Sequence, residues 1–255
     1  MPRPARVRKS TVAKADRQPH AILERDSRIS KADKIVALLP DLDLSRCHRI
    51  LEIGCGSGVI ASRLAEVAPQ AQVHAVDVKD NRIEHAGFHF SVVDGTRLPF
   101  PEDHFDLVIS NHVIEHVGDH DAQIDHLREI ARVLQPSGIG YLAVPNKWRL
   151  VEPHYRLPLL SWLPQSLADA WVRRTRRGDY YDCVPLSAGS AQRLFDESQL
   201  QHEDITIAAL RATLDIEHPD SLVTSWVRRF LPDSVLKLGM PVIPTLIYRL
   251  TRRPA

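Results

Sequence analysis

Three glycines at a strict two-residue spacing, Gly54, Gly56 and Gly58, follow a short apolar run and raise the question of a nucleotide site. A glycine turn between a buried strand and a helix lets a ligand approach the backbone closely. Val59 occupies the position of the third glycine of a dinucleotide site, and no Lys-Ser or Lys-Thr pair of a phosphate-binding loop follows. Alone, the pattern is also compatible with a tight turn that holds no ligand.

Three acidic residues accompany this turn. Glu52 precedes the first glycine by two positions, and Asp77 ends the next predicted strand, where a carboxylate can bind ribose hydroxyls. Asp94 ends the strand after that and is followed by Gly95. A nicotinamide enzyme does not need this further acid, whereas an adenosine-like ligand could use one carboxylate for the ribose and one for the exocyclic amine. The alternative is that Asp77 and Asp94 are solvated strand ends or helix caps.

Histidines beside carboxylates form two further candidate groups. His112, Glu115 and His116 have i, i+3 and i+4 spacing, which predicts one face of a helix after the fourth strand. They could bind a metal, pack locally or supply a catalytic base; we expect local packing and no metal. His154 follows Glu152 by two residues and is the leading candidate for a base near the acceptor, with a capping or surface histidine as the alternative. The predicted catalytic set is His154, His112 and His116.

Alternating strand and helix patterns place these residues at one edge of a sheet. Short apolar runs predict buried strands, and apolar residues at three- and four-residue spacing predict helices. Their alternation implies a mostly parallel sheet, which binds ligands at its carboxyl edge. The predicted strands are 49–53, 72–78, 89–94, 105–110, 139–145 and 203–210. The predicted helices are 22–39, 59–68, 122–134 and 187–200, and residues 219–240 contain another apolar helical stretch.

The chain resembles class I S-adenosylmethionine-dependent methyltransferases, above all the small-molecule subgroup (methyltransferase type 11) that includes quinone-biosynthesis enzymes. Four segments carry the resemblance in order: "ILEIGCGSG", "VHAVDV", "VVDGTRLPFPEDHFDLVISNHVIEHV" and "LREIARVLQPSGIGYLAVPN". It covers about residues 48–146. It implies an α/β fold with a Rossmann-like, seven-stranded, mostly parallel sheet, an antiparallel last strand and helices on both faces. Residues 203–210 and 243–250 would supply strands six and seven.

The resemblance also implies S-adenosylmethionine as cofactor and gives roles to single residues. The three glycines would line the methionine tail and the ribose, and Glu52 would help to anchor the ammonium group of the tail. Asp77 would bind the ribose hydroxyls, while Asp94 and Gly95 would contact the adenine. Asn111 would face the methionine moiety. The predicted cofactor-binding set is Glu52, Gly54, Gly56, Gly58, Asp77, Val78, Asp94, Gly95 and Asn111.

We expect one methyltransferase domain over 21–255, preceded by a flexible basic arm over 1–20. Within the domain, 46–146 would be the cofactor-binding core, 147–186 an α-helical cap and 187–255 a C-terminal region with the last two strands. The cap is rich in Trp and Leu and carries four arginines within 173–177. This composition favours a small hydrophobic or amphipathic acceptor and peripheral contact with a membrane. We expect methylation of the acceptor at oxygen.

The net charge and the number of cysteines limit which partners and which cellular compartment we expect. The 255-residue chain has a net charge of +1, so we expect no nucleic-acid partner. Three scattered cysteines and the lack of an apolar leader or spanning run indicate a cytoplasmic protein, with any membrane contact at the inner face. Two alternatives remain: a non-catalytic subunit that keeps the cofactor fold, and an enzyme that methylates RNA or protein. The oligomeric state stays open.

Overall fold

A seven-stranded sheet forms the centre of the computed structural model, which describes residues 25–253. The predicted basic arm 1–20 lies outside these residues. The strands of the sheet are β1 (Arg49–Ile53), β2 (Gln72–Asp77), β3 (His89–Val92), β4 (Phe105–Asn111), β5 (Leu134–Pro145), β8 (Leu200–Asp204) and β9 (Thr245–Arg252). Two short strands, β6 (Val151–Glu152) and β7 (Leu157–Pro158), form a separate hairpin. The sheet order is β3-β2-β1-β4-β5-β9-β8, and β9 is antiparallel to both neighbours. This confirms the expected Rossmann-like sheet with an antiparallel last strand.

Eight helices surround the sheet in the described residues. They are α1 (Arg25–Ala37), α2 (Val59–Val67), α3 (His120–Val133), α4 (Gln165–Arg174), α5 (Ala188–Glu197), α6 (Thr206–Ala212), α7 (Leu222–Phe230) and α8 (Asp233–Leu236). Side-chain caps explain several starts: Asp119 accepts the N–H of Ala122 at α3, and Ser187 and Ser190 form a capping box at α5. A π-helical turn, Thr213–Glu217, continues α6.

Both faces of the sheet are buried. Helices α1, α2 and α6 pack on one face, and α3 and α5 pack on the other. Alternate residues of β5 follow this division. Tyr141 and Ala143 lie in the apolar cluster with α1, α2 and α6, and Leu142 and Val144 lie in the cluster with α3 and α5. The packing leaves the carboxyl ends of the parallel strands as the edge at which loops gather.

The strand predicted over 203–210 is wrong in its bounds. Strand β8 ends at Asp204, and α6 begins at Thr206. The side chain of Asp204, the last residue of β8, accepts the N–H of Thr206, the first residue of α6, at 2.9 Å, so the chain turns from strand to helix here. Ile207 and Ala209, two residues apart in this helix, are both buried. This spacing explains why apolar and polar residues seemed to alternate as in a strand. The last strand, predicted over 243–250, lies two residues later in the chain.

The cap, residues 147–186, is only partly helical. It consists of the β6–β7 hairpin, a short 3-10 turn and α4. It has an apolar cluster of its own, formed by Tyr155, Leu157, Leu160, Ala168, Val172, Tyr181 and Cys183. The N–H of Val184 donates to the carbonyl of Glu115 at 2.8 Å and joins the cap to the segment after β4. Within 25–253, every helix is too short or too polar to cross a bilayer.

Candidate functional site

The glycine turn connects β1 to α2 at the carboxyl edge of the sheet. Gly54, Gly56 and Gly58 have φ values of 70°, 52° and 77°, in the left-handed region that favours glycine. A Cβ on Gly54 would collide with Val113, and one on Gly58 would lie 2.6 Å from the carbonyl oxygen of Glu84. The turn therefore needs glycine both for its backbone conformation and for the close approach of neighbouring segments.

Asp77, the last residue of β2, holds the glycine turn in place. Its Oδ2 accepts the N–H of Gly56 at 2.8 Å, and its Oδ1 accepts the N–H of Val78 at 2.7 Å. A carboxylate has about four lone-pair positions, so this half-buried group keeps acceptor capacity for a ligand hydroxyl. The side chain of Val78 is exposed directly after the strand.

Glu52 lies in β1 and is only 2% exposed. Its electrostatic neighbours are Arg28 of α1 and the N–H of Ala61 in α2, and its Oε2 has no hydrogen-bond partner among the described residues. Burial raises the pKa of this carboxyl to about 8, although Arg28 opposes the shift. Glu52 is therefore a buried acid beside the turn, and its anchoring role stays a prediction.

The remaining predicted cofactor residues lie at the ends of β3 and β4. Asp94 and Gly95 are exposed, and no described heavy atom lies within 4 Å of the position that a Cβ on Gly95 would take. Asn111 ends β4 and is 9% exposed. Two carboxylates and open space fit the hydroxyl and amine donors of an adenosyl group, whereas they would repel a polyphosphate. The individual contacts to the cofactor stay predictions.

A loop that sequence reasoning missed covers the glycine turn. The connection 78–88, all of it described, passes from β2 to β3 without a helix. The N–H groups of Ile83 and Glu84 donate to the carbonyl of Ser57 at 3.0 and 3.1 Å. The segment has no apolar periodicity, so the sequence carried little signal for this placement.

A cavity of about 250 Å³ lies beside the carboxyl ends of β4 and β5, between α1 and α6. Asn111 and His112 reach it from β4, and Lys31 and Lys34 reach it from α1. Lys34 forms an ion pair with Glu217. The pKa of Lys31 is lowered to about 8 by burial, with smaller contributions from the charges of Lys34 and Arg28. Apolar parts of the wall come from Tyr141, Ala143, Leu210, Ile243 and Ile247.

The predicted helix carrying His112, Glu115 and His116 is wrong. His112 has a left-handed φ of 59°, and Ile114–His116 is one 3-10 turn. The turn nevertheless brings the side chains together: Oε1 of Glu115 lies 3.3 Å from Nδ1 of His112 and 3.9 Å from Nε2 of His116. Burial lowers the pKa of His112, and Glu115 counteracts this. The helical spacing thus correctly predicted that the three side chains lie close together, but it did not predict the backbone conformation of the segment.

His154 lies in the cap, apart from the described cavity wall. Its Nδ1 is 2.8 Å from Oε1 of Glu152, and its ring centroid is 5.7 Å from that of His116. Among the described residues that line the cavity, His112 is present, whereas His116 and His154 are not. The role of His154 as a base stays a prediction.

Comparisons with known proteins agree with this geometry. Residues 51–142 match the methyltransferase domain family. A probable S-adenosylmethionine-dependent methyltransferase of Mycobacterium tuberculosis is 37% identical over 103 residues, which are 38% of this chain and 36% of that protein. The fatty-acid O-methyltransferase of Mycolicibacterium smegmatis is 29% identical over 191 residues, 72% of this chain and 60% of that protein. The matches thus span less than two thirds of either relative.

A solved structure shares the fold. The YcgJ protein of Bacillus subtilis aligns with a TM-score of 0.53 at 19% identity, over 88% of this chain and 99% of that one. Residues 51–142 thus match a methyltransferase domain, and the glycine turn, the acids at the ends of β2 and β3 and the order of the strands resemble those of the class I S-adenosylmethionine-dependent methyltransferases.

Proposed function

We propose that this chain transfers a methyl group from S-adenosylmethionine to an oxygen of a small amphipathic acceptor. The observation that carries the proposal is the mixed wall of the cavity beside β4 and β5. Apolar side chains of the sheet and α6 form one part of it, and Lys31 and His112 contribute polar groups. An acceptor with an apolar body and an acidic oxygen, a carboxyl or a phenol, matches both parts.

The chain's own groups have clear tasks in such a transfer. The bound cofactor supplies a methyl group already activated as a sulfonium, so alignment can provide most of the catalysis. The ammonium group of Lys31 would attract an acidic oxygen and favour its deprotonated form. Since burial lowers the pKa of His112, its imidazole is neutral near pH 7 and can accept a proton from a phenol. The apolar wall would exclude water.

The named relatives support an acceptor of this type. The Mycolicibacterium protein described above is named a fatty-acid O-methyltransferase, and a fatty acid is an amphipathic oxygen acid. Another relative is named a ubiquinone biosynthesis O-methyltransferase. Both names concern oxygen as the methylated atom, in agreement with the expectation from the sequence.

We also propose that the protein acts in the cytoplasm, in peripheral contact with the inner face of a membrane. Helix α7 supports this contact: Leu222, Trp226 and Phe230 are 87%, 54% and 58% exposed. Arg229 lies on the same helix, and the centre of its guanidinium group is 5.5 Å from the ring centroid of Phe230. An exposed apolar face next to cations suits the interface of anionic lipids.

A transfer assay with methyl-labelled S-adenosylmethionine tests the acceptor class. The purified chain would receive a long-chain fatty acid, an alkylphenol or the fatty alcohol of matched length. We expect label in the acid or the phenol and none in the alcohol, which lacks an acidic oxygen. A base-labile product would identify a methyl ester, and a stable one would identify an ether. Absence of transfer to either acid, in a chain that binds S-adenosylhomocysteine, contradicts the proposal.

Two variants identify the base in the same assay. With the phenol as acceptor, His112→Asn should lower kcat at least about tenfold, within the usual range for a general base. Its affinity for S-adenosylhomocysteine, measured by calorimetry, should not change. If His154→Ala causes this loss instead and His112→Asn keeps full activity, the base is His154, as the sequence suggested.

A further inference from the structure

Side chains with metal-binding atoms meet where the cap contacts the turn after β4. The Sγ atom of Cys183 lies 3.9 Å from Nδ1 of His116 and 3.9 Å from Nδ1 of His154. The same sulfur lies 3.5 Å from Oδ1 of Asp182. In a tetrahedral zinc site, a sulfur and a nitrogen or oxygen ligand lie about 3.6 Å apart, since the Zn–S bond is about 2.3 Å and the other bonds are about 2.1 Å.

A buried carboxylate behind this cluster gives a second, independent observation. Glu115 is fully buried; neither of its carboxylate oxygens has full hydrogen-bond geometry with a described group, and its Oε1 lies 3.3 Å from Nδ1 of His112. Its Oε1 lies 3.9 Å from Nε2 of His116, while Nδ1 of that ring faces Cys183. A histidine that binds a metal through one nitrogen commonly directs the other toward a carboxylate. Glu115 occupies that position for His116.

We propose that Cys183, His116 and Asp182, whose ligand atoms all lie within 4.8 Å of one another, bind one Zn²⁺ ion that ties the cap to the core, with water as the fourth ligand. Thiolate, imidazole and carboxylate ligands in tetrahedral number select zinc, whereas Mg²⁺ and Ca²⁺ prefer all-oxygen sites. On binding, the metal replaces the thiol proton, which passes to solvent. This use of His116 differs from the metal-free packing that its spacing with His112 and Glu115 suggested.

His154 stays outside this ligand set. Its Nδ1 lies 2.8 Å from Oε1 of Glu152, a carboxylate that also accepts from Arg149 and from the N–H of Tyr155. The rings of His116 and His154 and the side chain of Asp182 are partly exposed, so an ion has a path into the site.

Cobalt substitution of the full chain tests the site without any methyl acceptor. The chain is first treated with a chelator, which is then removed, and Co²⁺ is added while the near-ultraviolet and visible spectra are recorded. We expect one equivalent of Co²⁺ to produce a thiolate-to-cobalt charge-transfer band and the visible bands of tetrahedral cobalt. Added Zn²⁺ should abolish both, with one zinc per chain measured by mass spectrometry.

Matched variants identify the ligands. Cys183→Ser should abolish the charge-transfer band, whereas Cys47→Ser, at a buried thiol elsewhere in the core, should leave it unchanged. His116→Asn should weaken Co²⁺ binding at least about tenfold, and His85→Asn, at an exposed ring, should not. Because the wild-type spectrum is itself decisive, a variant that fails to fold does not suspend the test. Absence of the band in the wild type, or a band that survives in Cys183→Ser, overturns the proposal.

Discussion

The carboxyl group of Glu52 is buried, and its raised pKa, about 8, makes the stability of the fold depend on pH. In the unfolded chain a glutamate releases its proton near pH 4.3, so the folded state binds an extra proton between about pH 5 and pH 8. The free energy of unfolding therefore falls as pH rises through this range. Glu52→Gln removes this dependence. In urea unfolding, the free energy of unfolding of E52Q relative to that of the wild type should rise by up to about 1.4 kcal/mol per pH unit.

The exposed carboxyl of Glu102 provides the control for this experiment. The difference in unfolding free energy between Glu102→Gln and the wild type should stay the same from low to high pH. If the difference for E52Q is also constant, Glu52 is ionised in the folded chain and held by the charge of Arg28.

Lys31 gives a second pH-dependent prediction, which concerns the acceptor. Its pKa of about 8 means that the ammonium form prevails below pH 8 and the neutral amine above it. If Lys31 attracts an acidic oxygen, KM for a fatty acid should rise as pH passes 8. Lys31→Met should raise KM at pH 7 about tenfold, the loss typical of one charge-assisted hydrogen bond, and remove the rise above pH 8.

Kinetics at several pH values, with Lys237→Met at an exposed position as the control, checks this prediction. The affinity for S-adenosylhomocysteine should be equal in all three proteins. A wild-type KM that is flat across pH 8, or a Lys31→Met variant with unchanged KM, would mean that Lys31 does not contact the acceptor.

At the residue scale, the spacing of residues predicted those parts of the site whose members lie close together in the sequence. The glycine turn and the acids at the ends of β2 and β3 follow from strand ends and short patterns. Lys31 and Cys183 could not be predicted in the same way. Cys183 meets His116 across 67 residues, and Lys31 reaches the cavity only because α1 packs beside α6. In the sequence, Lys31 looks like any solvated lysine of a helix.

At the element scale, two surfaces are candidates for contact with a membrane: the cap and the exposed face of α7. The sequence pointed to the cap, whose Trp148 is 40% exposed, whereas the largest exposures of apolar side chains occur at Leu222 in α7 and Leu238 after α8. Leu222→Ser combined with Trp226→Ser should abolish co-sedimentation with vesicles containing phosphatidylglycerol. Trp148→Ser should not. The reverse result would assign the contact to the cap, and vesicles that bind none of the proteins would contradict membrane contact altogether.

Elements near one strong local signal were easier to predict than those with competing signals. Apolar runs that end at glycine or acid residues gave β1, β2 and β4 nearly to the residue. Around Asp204 the same residues satisfy a strand pattern and the start of a helix, and the choice depends on pairing with β9, which begins 41 residues later at Thr245. His112 shows a second limit, because a left-handed φ is invisible in helical spacing.

For the whole molecule, the order of motifs predicted the sheet, since the resemblance covered the segments that build it. The cavity could not be predicted, because its wall combines residues of α1, β4, β5, α6 and β9 whose packing has no signature in the sequence.

The separate apolar cluster of the cap has an evolutionary consequence. Within residues 25–253 it shares no side chain with the two clusters that bury the faces of the sheet. Substitutions without a shared partner change stability additively, so a mutation in one cluster imposes little constraint on the other. Selection for folding can therefore preserve the sheet and the wall of the cavity, to which no described residue of 147–186 contributes, while the cap accumulates substitutions of its own.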